Sequence, residues 1–131
     1  MATDKEEPVR VLLVEDDFLI RLTLAEALLD EGFAVVEAET AEAALGSLAE
    51  DAGIGALLTD VQIPGSFDGL QLAERVRSLR PGLPVIYMTG RPDKIPEVDS
   101  TGNEAFIAKP YLPSEVATTL RRLTAKPAAG D

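Results

Sequence analysis

The chain has 131 residues, 46% hydrophobic and 27% charged, with a formal net charge of −11 and neither Cys nor His. This length suits one domain with a real core, the absence of Cys excludes a disulfide scaffold, and the acidity argues against direct nucleic-acid binding, which needs a basic footprint. The N-terminus, MATDKEEP, lacks the apolar core of a signal peptide, and no apolar run approaches the ~20 residues of a membrane span, so a soluble, cytoplasmic protein without membrane contact is expected.

Residues 1–8 read as a disordered arm ending at Pro8. Val9–Val14 is a continuous apolar strand. From Asp17 to about Glu31 the spacing is helical, with Phe18, Leu22, Ala25 and Leu29 predicted on one face and Gly32 as the stop. Phe33–Val36 is the second strand. Thr40 is placed to cap a second helix, with Ala44, Leu45 and Leu48 on its apolar side and Gly53 ending the unit. Ile54–Thr59 is the third strand, followed by the loop from Ile63 to Gly69 and a third helix marked by Leu70, Ala73 and Val76, which must end before Pro81. Leu83–Met88 is the fourth strand. Residues 90–104 contain Pro92, Pro96 and Gly102; proline inside a helix costs ~3 kcal/mol, so this unit predicts a short or irregular fourth helix, or an ordered loop. Ala105–Ala108 is the fifth strand, and Ser114 is predicted to cap a last helix carrying Val116, Leu120 and Leu123. Residues 126–131 read as a disordered tail. Nearly continuous apolar strands alternating with helices predict an α/β fold: a five-stranded parallel sheet in the flavodoxin-like order 2-1-3-4-5, covered by helices on both faces.

Four short motifs close these strands. Glu15-Asp16-Asp17 follows the first, Asp60 the third, Thr89 the fourth and Lys109-Pro110 the fifth. The carboxyl ends of parallel strands share one edge, where ligands bind, so the four pieces converge. Glu15, Asp16 and Asp17 could hold a hard divalent cation such as Mg²⁺ or simply favour a helix N-terminus. Asp60 could be a carboxylate nucleophile or a loop-initiating acid; Pro64-Gly65 turns the chain sharply after it. Thr89 could donate to a phosphoryl oxygen, with Gly90 leaving room for a phosphodonor, or be an ordinary strand residue. Lys109 could pair with Asp60 or its phosphate, its bond to Pro110 being one that can be cis, or lie on the surface. Each motif has two readings; their joint order favours one phosphoryl-handling pocket.

On the strings VLLVEDD, LLTDVQIPG, DGLQLA, VIYMTG and FIAKPY, the chain resembles a response-regulator receiver domain of bacterial two-component signalling, over about residues 9–125. The resemblance implies that Asp60 is the phosphoacceptor, phosphorylated by a sensor histidine kinase or a phosphotransfer protein. It implies a Mg²⁺ held by Asp16, by Glu15 mostly through water, by Asp60 and by the backbone carbonyl of Gln62. Thr89 and Lys109 would hold the phosphoryl oxygens, and Thr89 with Phe106 would form the switch, Phe106 turning into the space that Thr89 leaves. Asp17 is a neighbour rather than a ligand. No output domain is seen after residue 125, so output is expected through a downstream protein partner. Self-catalysed phosphotransfer and slow autodephosphorylation are expected, without turnover of an outside metabolite: an Asp-nucleophile phosphatase would need an acid two residues after Asp60, where Gln62 stands. The alternative is a pseudo-receiver, the fold kept as a protein-binding module without phosphorylation.

Several features depart from the family pattern. The loop VQIPGSFDG is one residue longer than the common form, so an altered entry of the third helix is expected. The proline-broken fourth unit falls on the family's usual output and dimer face, so a monomer or weak dimer is expected. Phe106 lacks a tyrosine hydroxyl, and Gln62 and Arg91 occupy positions that flank the phosphate.

Overall fold

Five apolar segments pair as parallel strands in the order β2-β1-β3-β4-β5, the order expected. The computed structural model describes residues 7–91, 93 and 102–125. Its elements are β1 (Arg10–Val14), α1 (Phe18–Asp30), β2 (Ala34–Ala38), α2 (Ala41–Glu50), β3 (Ile54–Asp60), α3 (Gly69–Leu79), β4 (Val85–Thr89), β5 (Glu104–Ala108) and α4 (Pro113–Thr124). Residues 1–6 of the expected arm, the tail at 126–131, and residues 92 and 94–101 of the fourth unit lie outside the described residues.

Successive strand side chains point to opposite faces. Leu12, Val14, Leu57, Val85 and Tyr87 face one way and pack with Ala44 and Leu48 of α2 and Leu72, Ala73 and Val76 of α3. Val11, Leu13, Leu58, Ile86 and Met88 face the other and pack with Leu24, Ala25 and Leu28 of α1 and Val116, Ala117 and Leu120 of α4. β1, β3 and β4 are therefore buried on both faces, which is why they read as unbroken apolar runs. Full burial of each such side chain is worth about 1.5–3 kcal/mol.

Local chemistry sets the helix ends. Asp17 caps α1, its carboxylate accepting the Ile20 N–H at 3.0 Å. Gly32, at φ +98°, ends that helix: its N–H donates to Leu29 O and that of Phe33 to Leu28 O, the double bond of a Schellman stop. Thr40 caps α2 through the Ala43 N–H, as expected. Asp68 and Gln71 cap α3 reciprocally, a D-x-x-Q box present in the sequence.

Two expectations are corrected. Ala25 is buried as expected, but Phe18 and Leu29 do not face the core; they are 60% and 56% exposed, and Leu24 and Leu28 are buried in their place. Apolar residues surround α1 (Phe18, Leu19, Ile20, Leu22, Leu24, Leu28, Leu29), so spacing alone selects no face. Ser114 does not cap the last helix. α4 begins two residues earlier than such a cap implies, at Pro113, whose fixed φ suits a first helical position, and Glu115 reaches back to accept the Leu112 N–H at 2.9 Å. Strand limits shift by one or two residues from those predicted: β2 runs to Ala38 and β4 to Thr89.

Candidate functional site

Sheet register brings the strand-end motifs together. Val14 of β1 pairs with Thr59 of β3, Asp60 with Met88 of β4, and Thr89 with Ala108 of β5. Glu15, Asp60, Thr89 and Lys109 therefore stand at successive strand ends along one edge. The backbone ties them further: the Val61 N–H donates to Met88 O at 2.9 Å and the Lys109 N–H to Thr89 O at 2.7 Å.

At the centre, Lys109 Nζ lies 2.5 Å from Asp60 Oδ2 and 3.6 Å from Glu15 Oε1. The Lys109-Pro110 peptide is cis. Asp60 is buried, and its Oδ1 accepts the Gln62 N–H at 3.1 Å. Burial alone pulls the Lys109 ammonium down, but its hydrogen bond to Asp60 and the charges of Asp60 and Glu15 outweigh it, so the group is held above its ordinary range. Glu15 is only 2% exposed. Its Oε2 accepts the Asp17 N–H at 3.0 Å, whereas its Oε1 is buried without a hydrogen-bond partner. Burial first, and then the Asp60 charge, raise the Glu15 carboxyl, opposed by the Asp17 amide and by Lys109. Arg21 holds the turn after β1, donating to Glu15 O at 2.8 Å and to Glu37 Oε1 at 3.0 Å.

Glu15, Asp16 and Asp60 each offer an oxygen within 4.8 Å of the others. Three carboxylates beside one lysine carry excess negative charge, and a buried carboxylate oxygen without a donor is costly. A hard divalent cation answers both, so the donor set fits Mg²⁺, which takes oxygen ligands. Asp17 is outside this group and serves as the helix cap, as expected of a neighbour.

Thr89 is buried, its Oγ1 accepting the Arg91 N–H at 2.9 Å, and Gly90 next to it is exposed, a Cβ there meeting no atom of the described residues within 4 Å. Arg91 pairs with Asp93 at 3.7 Å, both exposed. Phe106 is half-buried and stacks on Tyr87, ring centroids 4.5 Å apart and planes at 20°. The Tyr87 hydroxyl accepts from Arg77 at 2.9 Å and donates to Glu104 at 3.2 Å, while Arg77 and Glu104 also pair directly. Strand alternation could have placed Tyr87 beside Phe106, since the two are register partners; sequence reasoning did not single it out. It also missed Glu42, which accepts the Ser66 N–H at 2.9 Å across 24 positions of chain and leaves no local signal.

Burial raises the hydroxyl pKa of both tyrosines, Tyr87 and Tyr111, above the ordinary 10.0. A folded-state pKa raised above the unfolded value means that the native state holds these protons longer. Stability is thus unaffected by them below about pH 10 and falls as the pH rises past it. An ultraviolet phenolate titration of the folded protein is expected to show both tyrosines ionising above pH 10; either one titrating at or below 10 would contradict this burial.

The architecture and the edge define a doubly wound α/β protein with an acidic, lysine-bearing pocket at the carboxyl ends of its strands. The chain belongs to the response regulator receiver domain family, whose family model matches residues 11–121. It is 40% identical over 104 residues to the response regulator protein FleR of Pseudomonas aeruginosa, covering 78% of this chain and 22% of that protein. It is 37% identical over 120 residues to the transcriptional regulatory protein AruR of the same organism, covering 87% of this chain and 48% of that one. The chain thus spans half or less of the length of these two relatives. Among solved structures, the response regulator protein TrrA of Thermotoga maritima, in complex with Mg²⁺-BeF, aligns with a TM-score of 0.77 at 25% identity, covering 88% of this chain and 98% of that one. No described helix is long and apolar enough to cross a membrane.

Proposed function

We propose that the chain is a phosphoacceptor signalling domain that takes a phosphoryl group onto Asp60 and changes partner binding as a result. The observation that carries this is the Lys109–Asp60–Glu15 contact at the strand ends, with Asp16 beside it. An Asp60 carboxylate oxygen attacks phosphorus. The new O–P bond forms as the donor's bond to phosphorus breaks, and the donor, an imidazole of a histidine kinase or phosphotransfer protein, leaves with the electron pair and takes up a proton. Such transfer needs positioning and charge stabilisation more than covalent help. Lys109, already against Asp60, moves with the charge onto a phosphoryl oxygen, and the Thr89 hydroxyl donates to another. Glu15, Asp16, Asp60 and the Gln62 carbonyl would hold Mg²⁺, whose bound charge offsets that of the phosphoryl oxygens; the complex of the Thermotoga relative supports this reading. The acids and the lysine come together, and Thr89 ends the neighbouring strand, which supports the phosphoacceptor reading over a pseudo-receiver.

Thr89 and Phe106 form the switch pair in this reading. Because Phe106 has no hydroxyl, its response is one of packing, and its stack on Tyr87 is the contact that must break or slide. Output passes to a downstream protein partner, with the domain a monomer or weak dimer. The chemistry is limited to self-catalysed phosphotransfer and slow autodephosphorylation.

The test is intact mass after incubation with acetyl phosphate, with and without Mg²⁺. Wild type is expected to gain one phosphoryl group only with Mg²⁺, and Asp60→Asn none. Equal gain by the two proteins would remove Asp60 from the role.

A further inference from the structure

Glu42 lies in the first turn of α2, outside the acid pocket, yet its carboxylate reaches the loop that follows Asp60. Its Oε2 accepts the Ser66 N–H at 2.9 Å. It also lies against Gly65, where a Cβ would fall 2.6 Å from Glu42 Oε1. Gly65 takes φ +113°, so the order Pro64-Gly65 follows the pattern of a type II turn, and the turn presents the Ser66 amide to α2. Hydrogen bonds from Ser66 hold the Glu42 carboxyl below its ordinary range.

The segment so held begins at Gln62. One end is fixed where the Gln62 N–H meets Asp60 Oδ1 at 3.1 Å, the other where the Gly69 N–H meets Val61 O at 2.7 Å. Among the described residues, the Glu42 bond is the one hydrogen bond that reaches residues 63–67 from outside the loop. A loop pinned at its ends and free at its crest would let the Gln62 carbonyl swing; a third tie at the crest limits that motion. The crest of the loop is thus a turn tied to α2, while α3 starts with a regular cap.

We propose that Glu42 is a positioning residue for the cation pocket: by holding the Ser66 amide it holds the Gln62 backbone carbonyl where Mg²⁺ is bound. This rests on the reading of the Asp60 pocket given above. The role needs an acceptor oxygen at that place more than a charge, because the carboxylate is exposed and its charge is screened by solvent. Glutamine, which keeps an oxygen of the same reach, should therefore substitute for it, and alanine should not.

The experiment is Mg²⁺ titration by calorimetry of wild type, Glu42→Ala and Glu42→Gln, with amide hydrogen exchange at Ser66 and thermal midpoints measured on the metal-free proteins. Glu42→Ala is expected to bind Mg²⁺ about threefold to tenfold more weakly, at or below the ~10–100-fold typical of partners that orient metal ligands, and to exchange the Ser66 amide faster. Glu42→Gln is expected to match wild type in both. Equal Mg²⁺ affinity in wild type and Glu42→Ala, or equal losses in the two variants, would overturn the proposal. So would a loss in Glu42→Ala that follows a lowered thermal midpoint with Ser66 exchange unchanged. A wild type that binds no Mg²⁺ would overturn the reading of the pocket, and this inference with it.

Discussion

Lys109→Ala is expected to lower the unfolding free energy by about 2–4 kcal/mol near neutral pH, just below the ~3–5 kcal/mol for breaking a fully buried pair. The discount reflects the lysine's partial exposure, 28% for its side chain. Its loss leaves Glu15, with a buried oxygen that already lacks a donor, beside Asp60 and Asp16 with no cation between them. Asp60→Asn is expected to leave stability nearly unchanged or raise it by about 1 kcal/mol, because it removes one of three crowded carboxylates and leaves Lys109 to Glu15 at 3.6 Å. Mg²⁺ should recover part of the loss in Lys109→Ala by supplying the missing positive charge. Urea melts of both variants, with and without Mg²⁺, check this pattern. Equal destabilisation by the two substitutions would show that the lysine does not neutralise an acid cluster.

Gly69→Ala is the second large effect. Its Cβ would fall 2.2 Å from Asp60 O and 2.9 Å from Val61 Cα, both backbone atoms of the segment that carries the proposed acceptor. No side chain can rotate away to make room, so α3 must back off from β3 or the Asp60 turn must open. Overpacking of this kind costs about 1–3 kcal/mol or more. The 2.7 Å bond from the Gly69 N–H to Val61 O should lengthen, and Mg²⁺ affinity should fall with it. Gly46→Ala is the control: it lies within α2, where a Cβ would meet no described atom beyond its own helix within 4 Å, and removing a helix-interior glycine should stabilise by about 0.5–1 kcal/mol. Chemical denaturation of the two variants side by side should give opposite signs. A harmless Gly69→Ala would mean that the close approach of α3 to Asp60 is not rigid.

The candidate site was legible because its residues sit at the ends of apolar runs, and in a parallel sheet those ends fall on one edge. Glu15, Asp16, Asp60, Thr89 and Lys109 needed only that rule. Phe106 was singled out through the resemblance alone; its stacking partner Tyr87 was overlooked although the two are register partners, because nothing in a strand of wholly buried residues marks one large side chain for attention. Glu42 was hidden for a different reason. Its bond to Ser66 depends on how α2 and the loop after β3 lie against each other, and no periodicity spans such a contact.

The sequence by itself determined the order of strands and helices, the parallel sheet, the stop at Gly32, the Thr40 cap and the set of polar groups at the carboxyl edge. Each follows from a local preference or from a period that the backbone imposes. Only the tertiary structure decided which face of α1 is buried, because apolar residues surround that helix and the sheet, not the spacing, chooses Leu24, Ala25 and Leu28. It alone placed Lys109 on Asp60, left one oxygen of Glu15 without a donor, and tied the crest of the Asp60 loop to Glu42, because these are distances between strand ends and helices that meet only when the layers pack.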